Sequence, residues 1–308
     1  MKSARRQAFA ARKNKKGKKS FPILKFLIPL FLILAFYLFL KLSTNVWNGK
    51  DKISLVYQEA GGDVGVTVLD PVLSEVTTLI IPGDTQVDVA RNYGTLRIKN
   101  VWQLGVNEKI GGSLLAETVT QNFLFPIFLW SSKSPGLDSG SFPNALNFIF
   151  LPRQTNISFG DRVQMGLFSL KVQDLEKTVI NLGKSKFLEK RILNDGQSGY
   201  ILEGPVSQRL TIYFSDNLIG DKNIKVNIID LTGTPGISEK LGEILQVIGG
   251  KVVSIDKRAI AEETDCTLTG NNSEAVKKVA NLFSCEIGRT KTSFDLDIKI
   301  GKKFAERF

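Results

Sequence analysis

Two carboxylates stand four residues apart in IIPGDTQVDV, Asp84 and Asp88, just past an apolar run that ends at Ile81. Acids at the end of a strand are placed to hold magnesium, a hard cation that takes oxygen ligands. A turn started by Pro82-Gly83 accounts for the same residues without a metal. A second charged pair, Asp161 and Arg162, sits in SFGDR, where the acid suits the first turn of a helix and can pair locally with the base. Asp295 and Asp297 alternate along one strand and are expected to face solvent. The two cysteines, Cys266 and Cys285, form a disulfide if that part of the chain is exported, and otherwise remain as two buried thiols. The chain has no histidine. That absence removes Ser-His-Asp and Cys-His catalysis and leaves zinc without its commonest nitrogen ligand.

A strand, a glycine turn and a helix follow one another in NIIDLTGTPGISEKLGEIL, which is the order of a phosphate cradle. The chemistry of a cradle is missing. A P-loop needs Lys-Ser or Lys-Thr directly after its last glycine, and here Ile237 follows Gly236. A dinucleotide fingerprint needs three spaced glycines, and Gly233 and Gly236 supply two. A scaffold turn explains each residue: Gly233 bends the chain, Thr234 can cap the helix and Pro235 can occupy its first position.

The elements that must position these residues are read from charge and periodicity. The formal net charge is +11, yet ten of the 41 Lys and Arg lie within residues 1–25, which hold no acid. The remaining 31 cations face 30 acids, so the body of the chain is balanced and offers no electrostatic footprint for nucleic acid. After the basic tail, 1–20, comes FPILKFLIPLFLILAFYLFLKL, Phe21 to Leu42. As a helix it reaches about 33 Å, enough to span a hydrocarbon core of about 30 Å. The cations before it predict a cytoplasmic N-terminus and an extracytoplasmic remainder. The apolar run is too long for a signal peptide, and LSTNVWNG offers no small-x-small cleavage site.

Residues 43–52 read as a polar linker. Strands are expected at Ile53 to Gln58, Gly65 to Asp70, Val76 to Pro82 and Thr95 to Leu104, broken by GGD, DP and NYG. A helix follows over residues 111–125 and ends at Pro126. A further helix opens at Asp161, a loop spans Asn194 to Gly199, and Gln208 to Asn223 reads as a strand with a polar link. From Asn223 the order is βαββαβ, with strands at Lys225 to Leu231, Lys251 to Ile255, Asp265 to Leu268 and Ser293 to Ile300. Ile237, Leu241, Ile244, Leu245 and Ile248 line one helix face; Val276, Val279, Ala280 and Phe283 line another.

The C-terminal segment, roughly Lys225 to Lys302, resembles the LytR C-terminal domain of LytR-CpsA-Psr cell-envelope proteins, through VNIIDLTGTPG, ISEKLGEILQVIG and KVVSID. Upstream, LIIPGDTQVDV resembles that family's I-P-R-D-T strand. RIKNVWQLG with GGSLLAETVTQNFLFPI resembles its following K-I-N-x-A-Y-x-x-G and helix. The resemblance implies an α+β fold in three parts: an N-terminal transmembrane helix at 21–42, a mixed domain at 53–222 and a small βαββαβ domain at 223–308. It also implies an activity, attachment of lipid-linked glycopolymers to the cell wall, with arginines on a pyrophosphate and aspartates on magnesium. Asp84 matches the motif's aspartate, Gly83 stands where its arginine belongs, and QEAGGDVG stands where a D-S-R-like motif would follow the first strand. Asp161-Arg162 is the nearest counterpart of the later arginine-rich helix.

Without the cationic clamp, the expected function is a membrane-anchored extracytoplasmic binding or scaffold protein of cell-wall assembly, with no cofactor. Its expected partners are membrane lipid and either peptidoglycan or an anionic wall glycopolymer, and no nucleic acid; its oligomeric state is open. The alternative is a magnesium-dependent phosphotransferase.

Overall fold

The computed structural model describes residues 46–204, 208–258, 261–289 and 292–308, and Pro29, Phe31 and Ala35 before them; the side chains of Gln208 and Arg209 are outside the description. The basic tail lies outside the described residues, and so does the expected span Phe21 to Leu42 apart from those three positions. Among the described residues no helix is long and apolar enough to cross a membrane.

In chain order the elements are β1 (Ile53–Gln58), β2 (Val64–Asp70), β3 (Glu75–Ile81), β4 (Gln86–Val89), β5 (Gly94–Arg97), α1 (Ile98–Asn107), α2 (Ser113–Phe123), β6 (Leu129–Ser131), α3 (Phe142–Phe150), α4 (Phe159–Lys171), β7 (Lys177–Asn181), β8 (Leu188–Ile192) and β9 (Ser198–Leu202). They continue with α5 (Gln208–Thr211), α6 (Asn217–Gly220), β10 (Lys225–Leu231), α7 (Ile237–Val247), β11 (Lys251–Lys257), β12 (Cys266–Thr269), α8 (Ser273–Phe283), β13 (Glu286–Ile287), β14 (Leu296–Gly301) and α9 (Lys302–Arg307).

The first sheet has the order β6-β1-β2-β3-β7. Strands β1, β2 and β3 are antiparallel neighbours, while β6 and β7 join the edges in parallel. Alternate side chains of a strand face opposite sides. Val56, Val64, Val66, Val68, Leu79 and Ile81 accordingly enter one core with α1 and α2. Ile53, Leu55, Tyr57, Leu69 and Val76 enter another, with Phe148 of α3 and Met165 of α4. Both faces are covered, which is why these strands read as nearly continuous apolar runs.

The C-terminal sheet has the order β11-β10-β14-β12-β13, with its core formed against α7, α8 and α9. Five strands stand where four were expected. The extra one, Glu286–Ile287, is two residues long, too short to leave a pattern in the sequence. Three further expectations are corrected. Thr95 to Leu104 is a strand only to Arg97; from Ile98 it is helix, because Ile98, Val101, Trp102 and Gly105 follow helical spacing and bury one face. Gln208 to Asn223 holds two one-turn helices, not a strand, with Ile219 the buried anchor of the second. Helix α7 starts after Gly236, whose φ of 85° is left-handed, so Thr234 is not its cap and Pro235 not its first residue.

Cys266 and Cys285 are disulfide-bonded across 19 residues, closing α8 onto the start of β12. Arg307 reinforces the junction: its Nε and Nη2 donate to Asp265 and its Nη2 also to the Phe283 carbonyl at 2.8 Å. In the chain-entropy model a loop of this size contributes about 2–4 kcal/mol. Replacing both cysteines by serine is expected to lower the unfolding free energy by that amount, read as an earlier midpoint in guanidinium denaturation of the full chain.

Candidate functional site

Strand β3 runs into the turn Pro82–Thr85, closed by the Thr85 amide on the Pro82 carbonyl at 2.9 Å. Three further backbone bonds fix its direction: Ile98 donates to Thr85, Lys99 to Gly83 and Tyr200 to Asp84. The β4–β5 hairpin pairs Gln86 with Arg97, which returns a cation to within two residues of Asp84. Oδ1 of Asp84 then accepts from Arg97 Nη1 at 2.8 Å and from Lys99 Nζ at 2.7 Å.

Arg97 is spent on its neighbours. Its Nε and Nη2 donate to the two oxygens of Asp195 at 2.9 and 3.0 Å, and Nη1 also reaches the Ser198 carbonyl at 3.2 Å. Its side chain is 10% exposed, against 46% for Asp84. The hydrogen bond from Lys99, opposed by desolvation and aided by Arg97, holds the Asp84 carboxyl below its ordinary range. The bond from Arg97 does the same for Asp195, and Asp195 in turn raises the Arg97 guanidinium.

Both carboxylates therefore titrate below the ordinary value near 3.8. A depressed folded pKa contributes stability above the unfolded value, lost as pH falls through the folded one. The ion network should hold from neutral pH down to about 4 and loosen below it. Carboxyl-carbon NMR checks the wiring. Arg97→Ala is expected to raise Asp195 more than Asp84, whose largest contribution is the Lys99 bond, and Lys99→Ala to raise Asp84 more than Asp195.

Gly83 accounts for the missing arginine of the motif. A Cβ placed there would lie 2.5 Å from the Gly62 carbonyl oxygen and 2.8 Å from its carbon, both backbone atoms. The β1–β2 loop that supplies Gly62 is tight: Glu59 donates to Asp63 and Gly62 back to Glu59, with Gly62 at a φ of 91°. Asp63 Oδ1 accepts the Gly83 amide at 2.8 Å. The QEAGGD loop at the end of β1 thus packs so closely on the end of β3 that it leaves no room for a side chain at Gly83.

Asp88 is not part of this cluster. It accepts from Thr95 Oγ1 at 2.8 Å, and its backbone exchanges two bonds with Asn122. Asp84 Oδ1 already accepts from two cations and Asp88 Oδ1 from the Thr95 hydroxyl, so neither of these oxygens is left free for magnesium. Among the described residues no group of three or more His, Cys, Asp or Glu is placed to hold a metal ion.

Asp161 and Arg162 are elsewhere again, in α4. Ser158, not Asp161, is the N-cap: its Oγ accepts the Asp161 amide at 3.1 Å. Asp161 is fully buried and accepts the amides of Trp47 at 3.3 Å and Val46 at 3.4 Å. It holds the chain that leads into β1. The local ion pair does not form. Arg162 lies 5.7 Å over the Phe159 ring, and Arg153 lies 5.0 Å over Phe148. Desolvation lowers the pKa of both guanidinium groups, and in Arg153 the charge of Arg162 adds to it.

Asp295 and Asp297 lie on the half-exposed face of the strand, opposite the buried Leu296, Ile298 and Ile300, as expected, and each has a partner there. Asp295 precedes β14 and accepts the Lys225 amide at 3.0 Å. Asp297 accepts from Asn227 Nδ2 at 2.7 Å and is bonded to Thr292. The TGTPG turn is held from within: Thr232 donates to Asp230 at 2.6 Å and accepts the Thr234 amide at 3.0 Å.

The sequence reading missed Arg97, Lys99 and Asp195. Arg97 and Lys99 carried a usable signal in the alternation of LRIK; Asp195 reaches the site from the β8–β9 turn, about a hundred residues away, and carried none.

No protein-family model matches the chain. No curated protein matches it. Among solved structures it is similar to B. subtilis TagT, at 12% identity over 52% of this chain and 88% of that one, with a TM-score of 0.37. It is also similar to the LytR-CPS2A-psr family protein YwtF (TagT) with bound octaprenyl pyrophosphate lipid, at 12% identity over 52% and 87% with a TM-score of 0.37. A third is B. subtilis TagV, at 10% identity over 67% and 100% with a TM-score of 0.38.

Proposed function

We propose that this chain is a membrane-anchored extracytoplasmic protein of the cell envelope that binds wall material, peptidoglycan or an anionic wall glycopolymer, and does not transfer it. The observation that carries the reading is the closed state of the Asp84 turn. Phosphoryl transfer depends on cations and a metal aimed at the phosphates. In this chain Arg97 and Lys99 aim at the protein's own carboxylates, and Gly83 has a backbone carbonyl where a side chain would begin. The turn is a structural clasp tying the β4–β5 and β8–β9 hairpins to the end of β3.

Export is supported by the basic tail before the apolar run, and the Cys266–Cys285 disulfide suits an oxidising compartment. With 31 cations against 30 acids, the body carries almost no net charge to attract a nucleic acid.

The test is co-sedimentation of the full-length chain, reconstituted in nanodiscs, with purified cell-wall sacculi before and after their anionic polymers are stripped. Retention is expected. Its loss on stripping assigns the anionic polymer, and its persistence assigns peptidoglycan; retention by neither overturns the reading.

A further inference from the structure

Helix α3, FPNALNFIF, is largely apolar on both faces, with Asn147 the one polar residue among its exposed positions. Ala145, Phe148 and Ile149 pack inward, against α4 among others, where Gly166 leaves room for the Ile149 side chain. Phe142, Leu146 and Phe150 recur at i, i+4 and i+8 on the outer face, with Phe142 62% and Phe150 65% exposed, and Leu151 extends the patch. A helix on an aqueous surface places polar residues there. Leu167 of α4 is exposed as well, and Phe150 meets Phe159 at 6.0 Å between ring centres.

Two cations accompany these helices. Arg153 follows α3 and Arg162 lies in the first turn of α4, each over an aromatic ring of the pair. Neither forms an ion pair with a carboxylate among the described residues; the Nε of each is buried without a hydrogen-bond partner, while Arg153 Nη1 and Nη2 donate to the Ser134 and Asn147 carbonyls at 3.4 and 3.1 Å. Desolvated guanidinium groups beside exposed phenylalanines suit a surface that is apolar below and anionic at its boundary.

The chain's path indicates which surface that is. Asp161, in the first turn of α4, holds the amides of Val46 and Trp47, and Trp47 meets Phe168 of the same helix at 5.8 Å. The apolar run ends at Leu42, so Ser43, Thr44 and Asn45 alone separate it from Val46. Fully extended, that link reaches about 14 Å. The element with the apolar outer face is therefore packed on the element tied most closely to the membrane exit.

We infer that the α3–α4 pair docks on the outer leaflet of an anionic phospholipid membrane, with Phe142, Leu146 and Phe150 entering the headgroup boundary and Arg153 and Arg162 meeting lipid phosphates. The inference rests on the membrane anchoring proposed above. Three apolar side chains partition weakly from free solution, but a short covalent tether makes the encounter intramolecular and raises the effective concentration. Docking of this kind would fix the orientation of the wall-binding part relative to the bilayer.

The test uses the full-length chain in vesicles of phosphatidylcholine with phosphatidylglycerol. Both native cysteines are disulfide-bonded, so a nitroxide reacts only at an introduced thiol. Phe150→Cys carries the label, Phe142→Cys repeats the measurement in case the first variant misfolds, and Leu175→Cys, 91% exposed between α4 and β7, is the aqueous reference. Labels at 150 and 142 should show a several-fold higher ratio of oxygen to nickel-chelate accessibility than the label at 175. Arg153→Gln with Arg162→Gln should remove the dependence of that ratio on phosphatidylglycerol. Labels at 150 and 142 as aqueous as at 175 overturn the inference, and so does spin–spin broadening, which would place a second copy on this face. Extraction of the chain from the vesicles by alkaline carbonate would instead sink the anchoring itself.

Discussion

Lys278→Ala is expected to lower the unfolding free energy by about 3–5 kcal/mol, the cost of leaving a buried charge without its partner. Lys278 extends from α8 to form an ion pair with Asp216, where the two side chains are 12% and 1% exposed. Its ammonium also donates to the Lys52 carbonyl at 3.0 Å and lies 5.6 Å over the Phe128 ring. One side chain thus joins the C-terminal unit of strand order β10 to β14 to the lead-in of β1 and to the segment between α5 and α6. Asp216 has little in reserve, because its Oδ1 is already buried without a partner among the described residues. Lys278→Met combined with Asp216→Leu should recover most of the loss, since an apolar pair of similar volume removes the desolvation cost together with the attraction. Denaturation midpoints of wild type, single and double variants of the full chain measure both numbers. A single variant as stable as wild type would show that water already screens the pair.

The second large effect is at Gly83. Gly83→Ala is expected to cost about 1–3 kcal/mol by overpacking, because the added methyl group meets backbone, which cannot rotate away as a side chain would. Gly83→Arg supplies the residue of the resembled motif, yet should be no more stable than the alanine variant and should confer no transfer of glycopolymer. The cation would have to displace the Glu59–Asp63 loop, and Asp63 would lose the Gly83 amide it accepts. Hydrogen exchange at residues 59–63 locates the damage. Unchanged protection there, with unchanged stability, would mean that the loop yields freely and that glycine is not required at this position.

Much of the fold was legible because local and tertiary demands agree in it. The strand-turn-helix units after Lys225 carry helical periodicity on Leu241, Ile244 and Leu245 and on Val276, Val279 and Ala280, and the core uses those faces. Pro126 stops the chain after α2, as an X-Pro step predicts, and Leu124 turns it in a left-handed conformation. Where the two demands diverge, local reading fails. The β-branched and aromatic residues after Arg97 suit a strand one at a time, while their spacing suits α1. Leu167 is apolar yet turned outward, exposed like Phe150 and Leu151.

The site was harder to read, for a different reason. Asp84 could be singled out as an acid at the end of a strand. What it does was decided by partners that sequence distance conceals: Lys99 through α1, Arg97 through a hairpin register, Asp195 through the turn of a second hairpin. Asp161 shows the same limit, since nothing near it in the chain announces a bond to Val46 and Trp47. The spacing of acids identifies where charge accumulates, and the fold then determines whether the charge faces a ligand or another residue.

Binding and transfer are separated most directly by one fractionation. The full-length chain in vesicles is mixed with sacculi, magnesium and a radiolabelled glycopolymer carried on polyprenyl pyrophosphate, and the sacculi are then boiled in detergent. The chain is expected to sediment with the sacculi, and no label is expected to survive the boiling. Detergent-resistant label that appears with wild type and disappears with Asp84→Ala would contradict this expectation.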